Sequence, residues 1–274
     1  MIRQTKPRVH VLRIEEVFRP GNPGYWVHPD WAVRFPWLVQ GTTGRGRDEG
    51  GAVFDFALFT DPPAPEARES WEVLGKSLGL PKVIHSHQIH GREILVHEEQ
   101  APADGRETRL ELAPDADGHV TRAAGILLGV TVADCVPVSL VDPNRRAVGL
   151  FHAGWRGAAA GILERGIELF KEEFMSGPED LYLHLGPAIC GDCYEVGVEV
   201  HVAMGLPEPD NPGPVDLRGY LSARAVAAGV EAAKISESVW CTLCGESPFF
   251  SHRRGELGRQ VGFLGVLPAR PPRG

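Results

Sequence analysis

The most apolar stretch of the chain, residues 123–140, constrains its fold more than any other feature. Its sequence, A-A-G-I-L-L-G-V-T-V-A-D-C-V-P-V-S-L, is almost continuously apolar, which is typical of a strand buried on both faces of a sheet. We expect this strand to be interrupted at Asp134 and Cys135. We also expect a bend at Pro137, because proline cannot donate to a sheet ladder.

A second buried strand is predicted at residues 147–151, after a turn of sequence V-D-P-N at residues 141–144. Because the connection is short, we expect the two strands to be antiparallel neighbours. Cys135 lies seven residues before Asp142, and His152 lies ten residues after it. The pairing would therefore bring a thiolate and an imidazole within reach of one ion.

Residues 148–157, V-G-L-F-H-A-G-W-R-G, run from apolar strand into a glycine-bounded turn at His152. Such a turn commonly delivers a functional side chain to a loop. A further histidine comes from K-V-I-H-S-H-Q-I-H-G, in which His85 and His87 would share one face of a strand and His90 the other. Gly91 favours His90 as the histidine that is lifted onto a turn.

His90, Cys135 and His152 together would give a metal three ligands of mixed nitrogen and sulfur type. Three protein ligands leave the fourth tetrahedral position open for water or substrate, so the set predicts a catalytic metal centre rather than a structural one. The alternative for each residue taken singly is structural. A lone histidine is commonly a hydrogen-bonded core residue, and Cys135 could be a buried inert thiol with Asp134 capping a turn.

The other four cysteines form two C-x2-C pairs, Cys190 with Cys193 and Cys241 with Cys244. Their spacing leaves three states open, namely a four-cysteine structural zinc site, a disulfide between the two segments, and free thiols. Against a zinc ribbon, the 47 residues between Cys193 and Cys241 include a predicted helix and a proline-rich loop.

The composition excludes several classes of partner. The formal net charge of −8 argues against nucleic acid, which is bound through clustered Lys and Arg, and favours a small-molecule partner. No apolar run approaches the roughly 20 residues of a membrane span, and the first residues, M-I-R-Q-T-K-P-R-V-H, lack the apolar core of a secretory signal. We therefore expect a cytoplasmic protein of one domain, either a monomer or a small homo-oligomer.

Four further segments are predicted from local patterns. Apolar spacing predicts helices at residues 65–80 and, leaving directly from the His152 turn, from Ala158 through Phe174. Near-alternation predicts a strand at residues 53–59. The glycine-rich residues 41–51, G-T-T-G-R-G-R-D-E-G-G, predict a loop, either one that meets an anion or a flexible solvated one.

Five motifs occur in a fixed order along the chain. They are Q-I-H-G at residues 88–91, T-V-A-D-C-V-P-V at 131–138, H-A-G-W-R-G at 152–157, C-Y-E-V-G at 193–197 and F-F-S-H-R-R at 249–254. In these motifs the chain resembles the YfiH or laccase-domain family, also called the polyphenol oxidase or purine nucleoside phosphorylase family. The resemblance extends from about Gln40 to the carboxyl end.

The resemblance implies a single α/β domain over residues 1–274, with mixed β-sheets flanked by helices, of the cytotoxic-necrotising-factor-like hydrolase type. Residues 1–39 would be an amino-terminal extension of that domain. It also implies zinc held by His90, Cys135 and His152. The implied activities are phosphorolysis of adenosine, inosine, guanosine and methylthioadenosine, and deamination of adenosine. The alternatives are a copper-dependent phenol oxidase, and a regulatory protein that zinc stabilises without catalysis.

For substrate binding the family motifs single out Gln88 and Asp134, together with three arginines. Arg45 is matched to the family's anion-binding arginine, although F-S-T-R is here T-T-G-R. Arg156 and Arg253 are candidates for holding phosphate near the ribose, or for bracing the fold through carboxylates. His252 stands where the family generally has tyrosine, and Cys190 and Cys244 depart from the family pattern. Copper is disfavoured because His85 and His87 form the only H-x-H pair.

Overall fold

A computed structural model describes residues 10–46, 54–99 and 107–268 of the chain. Six α-helices lie in this part of the chain: α1 (Pro29–Arg34), α2 (Ala67–Ser77), α3 (Trp155–Ala160), α4 (Ile162–Phe174), α5 (Val198–Ala203) and α6 (Leu217–Ala227). The strands are β1 (Leu12–Ile14), β2 (Val17–Arg19), β3 (Tyr25–Val27), β4 (Leu38–Thr43), β5 (Lys82–Ser86), β6 (Ile94–His97), β7 (Arg109–Ala113), β8 (Gly118–Thr121), β9 (Ile126–Val132), β10 (Val136–Asp142), β11 (Ala147–Ala153), β12 (Tyr182–Leu185), β13 (Glu195–Val196), β14 (Gly213–Pro214), β15 (Ile235–Ser238) and β16 (Gln260–Val266).

The strands form two seven-stranded mixed sheets and one small antiparallel pair. The first sheet has the order β1-β15-β12-β10-β11-β8-β6, and the second has the order β2-β3-β4-β16-β9-β5-β7. Strands β13 and β14 pair separately. The predicted mixed α/β fold with helices and mixed sheets is confirmed.

The two sheets pack against each other through a shared core. Leu128 and Val130 of β9 and Leu264 of β16 lie in one cluster with Val148 and Leu150 of β11, and all five are at most 1% exposed. On its other face, the first sheet is covered by α4, whose Phe170 is fully buried. Strands covered on both faces account for the apolar runs of the sequence.

The prediction that residues 123–140 form one interrupted strand is wrong. The interruption divides the run between β9 in one sheet and β10 in the other. An apolar run with no alternation carries no signal of a change of sheet, because both halves are buried on both faces. The predicted antiparallel pairing of β10 with β11 is confirmed, with Pro137 opposite His152.

Two other local predictions are corrected. Residues 54–59 contain no strand, and Val53 lies outside the described residues. Of the predicted loop at 41–51, residues 41–43 belong to β4, where Gly41 pairs with Phe263, and residues 47–51 lie outside the described residues.

The predicted helix from Ala158 to Phe174 is divided into α3 and α4 at Gly161, which has φ of 86°. A left-handed residue stops a helix, and glycine adopts that conformation at no steric cost. The first of the two helices begins at Trp155, two residues after β11. The helix predicted at 65–80 is observed as α2, which is shorter at both ends. Among the described residues, no helix is both long and apolar enough to cross a membrane.

Candidate active site

The structure brings together His90, Cys135 and His152. Each offers one ligand atom, and these atoms all lie within 4.8 Å of one another. The two imidazole rings meet edge to face, with their centroids 4.8 Å apart. Three side chains that are 45 and 17 residues apart along the chain therefore meet in a group that could hold a metal ion.

Strand register places Cys135 beside His152. Cys135 immediately precedes β10, and His152 is the penultimate residue of β11, opposite Pro137. His152 is only 3% exposed, and its backbone N–H donates to the carbonyl of Asp117 at 2.7 Å. The backbone thus fixes both side chains at the same end of an antiparallel pair.

His90 reaches the group from a loop that follows β5. His90 itself has a positive φ of 58°, in the left-handed region that non-glycine residues seldom adopt. The backbone N–H groups of Ile89, His90 and Gly91 donate to the carboxylate of Asp117 at 3.2, 3.0 and 2.6 Å. Three donors on one carboxylate compensate the unusual conformation of the loop.

Asp117 also holds His152. Its Oδ1 lies 2.9 Å from Nδ1 of His152, and its side chain is fully buried. A carboxylate that accepts from Nδ1 leaves Nε2 as the nitrogen available to a metal. Sequence reasoning missed Asp117. Its only signal was a carboxylate just before a buried strand in D-A-D-G-H-V-T, a composition equally typical of a turn.

The charges of the neighbouring side chains shift the pKa values of Cys135, His152 and Asp117. Burial by itself would raise the pKa of Cys135, but His152 and His90 lower it to about 6. Burial would lower the pKa of His152, but Cys135 and Asp117 raise it to about 9. Burial likewise opposes ionisation of Asp117, yet its hydrogen bond to His152 and the loop amides lower its pKa. Near neutral pH these shifts favour a thiolate beside an imidazolium.

Two glycines of the H-A-G-W-R-G motif leave room for the group. A Cβ on Gly154 would lie 3.0 Å from Sγ of Cys135 and 3.4 Å from Cδ2 of His90. A Cβ on Gly157 would lie 2.8 Å from the carbonyl oxygen of Gly91. The first glycine thus keeps space beside the thiol, and the second lets α3 approach the His90 loop.

A cleft of about 480 Å³ opens over the three residues. Its walls include Phe59, Gln88, His252 and Arg259. Its volume falls in the range of small-molecule sites, roughly 300–1,000 Å³. Both ends of the Gln88 amide bind Thr131: its Nε2 donates to the carbonyl at 2.9 Å, and its Oε1 accepts from the backbone N–H at 2.7 Å and from the hydroxyl at 2.9 Å.

Asp134 braces the site from behind. It has a φ of 86°, and its carboxylate accepts from the Thr242 hydroxyl at 2.6 Å and from the Arg253 backbone N–H at 2.7 Å. Its carbonyl accepts from the Ile189 backbone N–H at 3.0 Å. The residue before Cys135 is therefore tied to two distant segments, and both carboxylate oxygens have protein partners.

None of the three arginines singled out from sequence is among the residues lining this cleft. Arg45 pairs with Glu256 at 2.8 Å, and the guanidinium of Arg156 lies over the Trp155 ring at 4.2 Å. Arg253 donates to the Glu195 carbonyl at 2.9 Å.

Two of these arginines lie near a tyrosine beside Cys135. The Arg253 guanidinium lies 5.3 Å from the centre of the Tyr194 ring. Burial, and then Cys135, raise the pKa of Tyr194 to about 12, while the positive charges of Arg253 and Arg156 oppose the rise. At the Tyr194 hydroxyl, the charge of Cys135 and the charges of the two arginines therefore shift the pKa in opposite directions.

Within the described part of the chain, Arg259 is the arginine that lines the cleft, and sequence reasoning missed it. Its Nη1 donates to the carbonyls of Leu257 and Gly258 at 2.8 and 2.9 Å, so the side chain is held by its own loop. It follows a G-E-L-G segment with no recognisable motif. Its place at the cleft depends on the path of the loop before β16, which local sequence does not specify.

His85 and His87 do not join the metal group. His85 is 1% exposed, stacks on Trp71 at 4.5 Å and bonds to the Gly129 carbonyl at 3.1 Å. Burial lowers its pKa to about 4. His87 is half-exposed and lies 3.4 Å from the Asp115 carboxylate. The H-x-H pair is thus divided between the core and the surface.

The fold and site define an α/β protein whose two mixed sheets support a His-Cys-His group beneath a cleft. The chain belongs to the family whose model is described as multi-copper polyphenol oxidoreductase laccase, which matches residues 55–267. The family predicted from the five motifs is confirmed.

Relatives and solved structures agree with this family over most of the chain. Purine nucleoside phosphorylase YlmD of Geobacillus stearothermophilus is 36% identical over 253 residues, which cover 85% of this chain and 92% of that protein. Adenosine deaminase RL5, from an unknown prokaryotic organism, is 33% identical over 256 residues, covering 86% and 96%. The crystal structure of the Geobacillus YlmD superposes with a TM-score of 0.76 at 30% identity, covering 92% of this chain and 100% of that one. That of the Bacillus licheniformis hypothetical protein YfiH gives 0.75 at 26% identity, covering 91% and 98%.

Proposed function

We propose that the protein is a zinc-dependent purine nucleoside enzyme that carries out phosphorolysis of adenosine, inosine, guanosine and methylthioadenosine and also deaminates adenosine. The observation that carries the proposal is the convergence of His90, Cys135 and His152 beneath a cleft of about 480 Å³. The names of the relatives, purine nucleoside phosphorylase and adenosine deaminase, support both activities.

The donor set suits zinc. Two imidazoles and one thiolate are ligand types that zinc prefers, and three protein ligands leave one position open. The hydrogen bond between Asp117 and Nδ1 of His152 at 2.9 Å is the carboxylate–histidine arrangement that orients metal-bound imidazoles. The pKa of Cys135, lowered to about 6, favours the thiolate that a metal requires. When bound, zinc supplies Lewis-acid chemistry that makes water a nucleophile at neutral pH.

The cleft walls have the chemistry to hold a nucleoside. Phe59 is 46% exposed and offers a ring face on which a purine can stack. Gln88 fixes the strand behind the cleft through Thr131. The two reactions take place at different atoms of the substrate, C6 of the purine and C1′ of the ribose. Deamination requires C6 to face the three ligands, so that water adds there and ammonia leaves.

Phosphorolysis requires an anion beside C1′ of the ribose. There, an oxygen of phosphate forms a bond to C1′ as the glycosidic C–N bond breaks, and the purine leaves with the electron pair and takes up a proton. We propose that Arg259 holds this phosphate, because among the described residues it is the arginine on the cleft wall, and a guanidinium can bind phosphate through two donors. Arg156 and Arg253 would contribute positive charge near Tyr194. Arg45 would hold its own loop to the segment of Glu256 through their ion pair.

Two rival functions have distinct requirements. A copper-dependent phenol oxidase of the multicopper type needs several paired histidine clusters, whereas His85 is a core residue and His87 a surface residue. A regulatory protein that zinc merely stabilises needs no open ligand position. We further propose that the protein acts in the cytoplasm on nucleosides and phosphate, as a monomer or a small homo-oligomer.

The first experiment incubates the purified, zinc-loaded protein with adenosine, with and without phosphate, and separates the products by chromatography. We expect adenine with phosphate, and inosine in either condition. His90→Ala should abolish both products while its melting temperature changes little. The matched control, His201→Ala, changes a histidine on α5 whose bond is to the Gly213 carbonyl, and should keep both activities. A zinc-loaded wild-type protein that makes none of these products would refute the proposal.

The second experiment tests which arginine holds phosphate. Arg259→Gln should raise the KM for phosphate with little change in the KM for adenosine, because only the anion loses a partner. Arg165→Gln, which alters a surface ion pair on α4, serves as the control and should change neither. A phosphate KM that rises instead in Arg45→Gln, Arg156→Gln or Arg253→Gln would move the anion site to that residue.

A further inference from the structure

Four cysteines outside the cleft converge on one point. The sulfurs of Cys190, Cys193, Cys241 and Cys244 all lie within 4.8 Å of one another. Four sulfurs at about 2.3 Å from a tetrahedral zinc ion lie roughly 3.8 Å apart. No two of the four sulfurs are therefore more than about 1 Å farther apart than in a closed zinc site, although two of them come from a segment about 50 residues distant in sequence.

Each pair lies on a tight turn. Cys190 precedes a single turn of 3-10 helix and Cys193 is its last residue, and the Cys193 N–H donates to the Cys190 carbonyl at 3.1 Å. Cys241 and Cys244 are followed by Gly245, which has a φ of 67° with no atom within 4 Å of an added Cβ. Glycine is therefore needed there for its conformation alone, and it turns the chain away directly after the fourth sulfur.

The sulfur of Cys241 accepts three backbone hydrogen bonds. Its donors are the N–H groups of Cys190 at 3.3 Å, Leu243 at 3.4 Å and Cys244 at 3.5 Å. Amide donors aimed at one sulfur stabilise its thiolate, and hydrogen-bonded ligands are the usual surroundings of a protein metal. One of these donors comes from the other segment, so the two turns are already joined at this sulfur.

A disulfide explains the arrangement less well. All five cysteines of the chain are free thiols in the structure. A single disulfide between the two segments would join two of the sulfurs and leave the other two unpaired, whereas here all four lie within 4.8 Å of one another. An ion has access, because Cys244 is exposed and Cys190 borders a surface cleft of about 700 Å³.

We propose that these four cysteines bind a second zinc ion, separate from the His-Cys-His group, as a closed tetrathiolate site with a structural role. Binding displaces the thiol protons to solvent, so the four ligands are thiolates. With all four positions filled by protein, the ion has none left for substrate.

A metal at this site would join the two segments that hold Asp134, the residue before Cys135. Cys241 pairs with Ala188 through a parallel bridge, and the Thr242 N–H donates to the Ala188 carbonyl at 3.2 Å. Thr242 and Ile189 in turn hold the side chain and the carbonyl of Asp134. A zinc ion joining the two turns would therefore fix the residue immediately before Cys135 from both sides.

The first test is to measure the number of zinc ions per protein chain by elemental mass spectrometry. We expect two equivalents in the wild type, one in Cys190→Ser/Cys193→Ser and one in Cys135→Ala. Zinc-edge absorption spectroscopy of the Cys135→Ala protein should find sulfur neighbours only, at about 2.3 Å. A wild-type protein with a single equivalent, lost in Cys135→Ala, would overturn the proposal.

A second readout uses the wild type alone, so it does not depend on a variant that folds. Cys244 is exposed, so a small alkylating reagent can reach it, and a gain in its reactivity when zinc is removed reports a bound metal. We expect Cys244 to resist alkylation until a zinc chelator is added and then to react. Rapid alkylation of Cys244 in the zinc-loaded protein would show free thiols. A mass of the protein, measured without reductant, that is lower by the missing thiol hydrogens would show disulfides. Either result would refute the site.

Discussion

Asp117→Asn is the sharpest test of how the candidate metal centre is held together. The substitution keeps the size of the side chain but removes its charge and one acceptor oxygen. Oδ1 of Asp117 serves His90 N–H and His152 Nδ1, and Oδ2 serves the N–H groups of Ile89 and Gly91. Whichever way the asparagine amide turns, its NH2 group faces two positions that need an acceptor.

The size of the effect follows from this count. Each hydrogen bond to a charged group contributes about 1.5–3 kcal/mol, so the loss of two gives about 3–6 kcal/mol shared between stability and site geometry. If the NH2 group faces His152, the ring can accept at Nδ1 only by carrying its proton on Nε2, the nitrogen that a metal needs. Loss of an orienting carboxylate of this kind typically costs about 10–100-fold in metal affinity.

The assay is competition for zinc against a chelator of known affinity, with Cys135→Ala protein as the baseline so that only zinc depending on Cys135 is counted. Asp115→Asn is the matched control. Asp115 lies two residues away, is 63% exposed and, among the residues that the structure describes, pairs only with half-exposed His87 at 3.4 Å, so we expect no change in zinc affinity. Equal zinc affinities in the two folded variants would show that Asp117 does not position the ligands.

Two further predictions concern the framework. Burial, and then His184, lower the pKa of His28 to about 3, so below about pH 6.5 only the unfolded chain takes up a proton there. The free energy of unfolding should thus fall by about 2 kcal/mol from about pH 7.5 to pH 5 through His28 alone. His28→Asn retains a helix-capping side chain. In urea titrations its free energy of unfolding should therefore fall by about 2 kcal/mol less than that of the wild type between these two pH values. An equal fall in the two proteins would contradict the assignment to His28. In Gly129→Ala the new Cβ would overlap the Trp71 ring, and we expect a loss of about 1–3 kcal/mol. Gly46→Ala, with nothing within 4 Å of its Cβ, should change little in the same titrations.

The sequence was informative wherever a contact followed from a short connection. Cys135 and His152 could be brought together from the turn between β10 and β11, since an antiparallel register fixes which residues face each other. His90 could be placed on a turn because of the glycine that follows it. In both cases the evidence lay within about 20 residues of the side chain concerned.

Contacts between distant segments were not predictable in this way. Asp117 meets His152 because β8 pairs with β11, and nothing in D-A-D-G-H specifies that neighbour. Arg259 reaches the cleft from the loop before β16, while Arg45 is drawn into an ion pair with Glu256. An arginine in a glycine-rich segment has the right chemistry for an anion, but its carboxylate partner lies 211 residues away in the chain.

The break at residues 133–135 accounts for the position of the candidate centre. Strand β9 belongs to one sheet and β10 to the other, so the chain must change direction between them, and Asp134 does so with a φ of 86°. An aspartate in that conformation is disfavoured by roughly 1–3 kcal/mol and persists because Thr242 and Arg253 bind its carboxylate while Ile189 binds its carbonyl. Those partners come from the segments that carry the four clustered cysteines and the loop beyond them. The exact placement of Cys135 therefore depends on how firmly those segments are joined, and a metal at the cysteine cluster would act on the centre through Asp134 without touching the substrate.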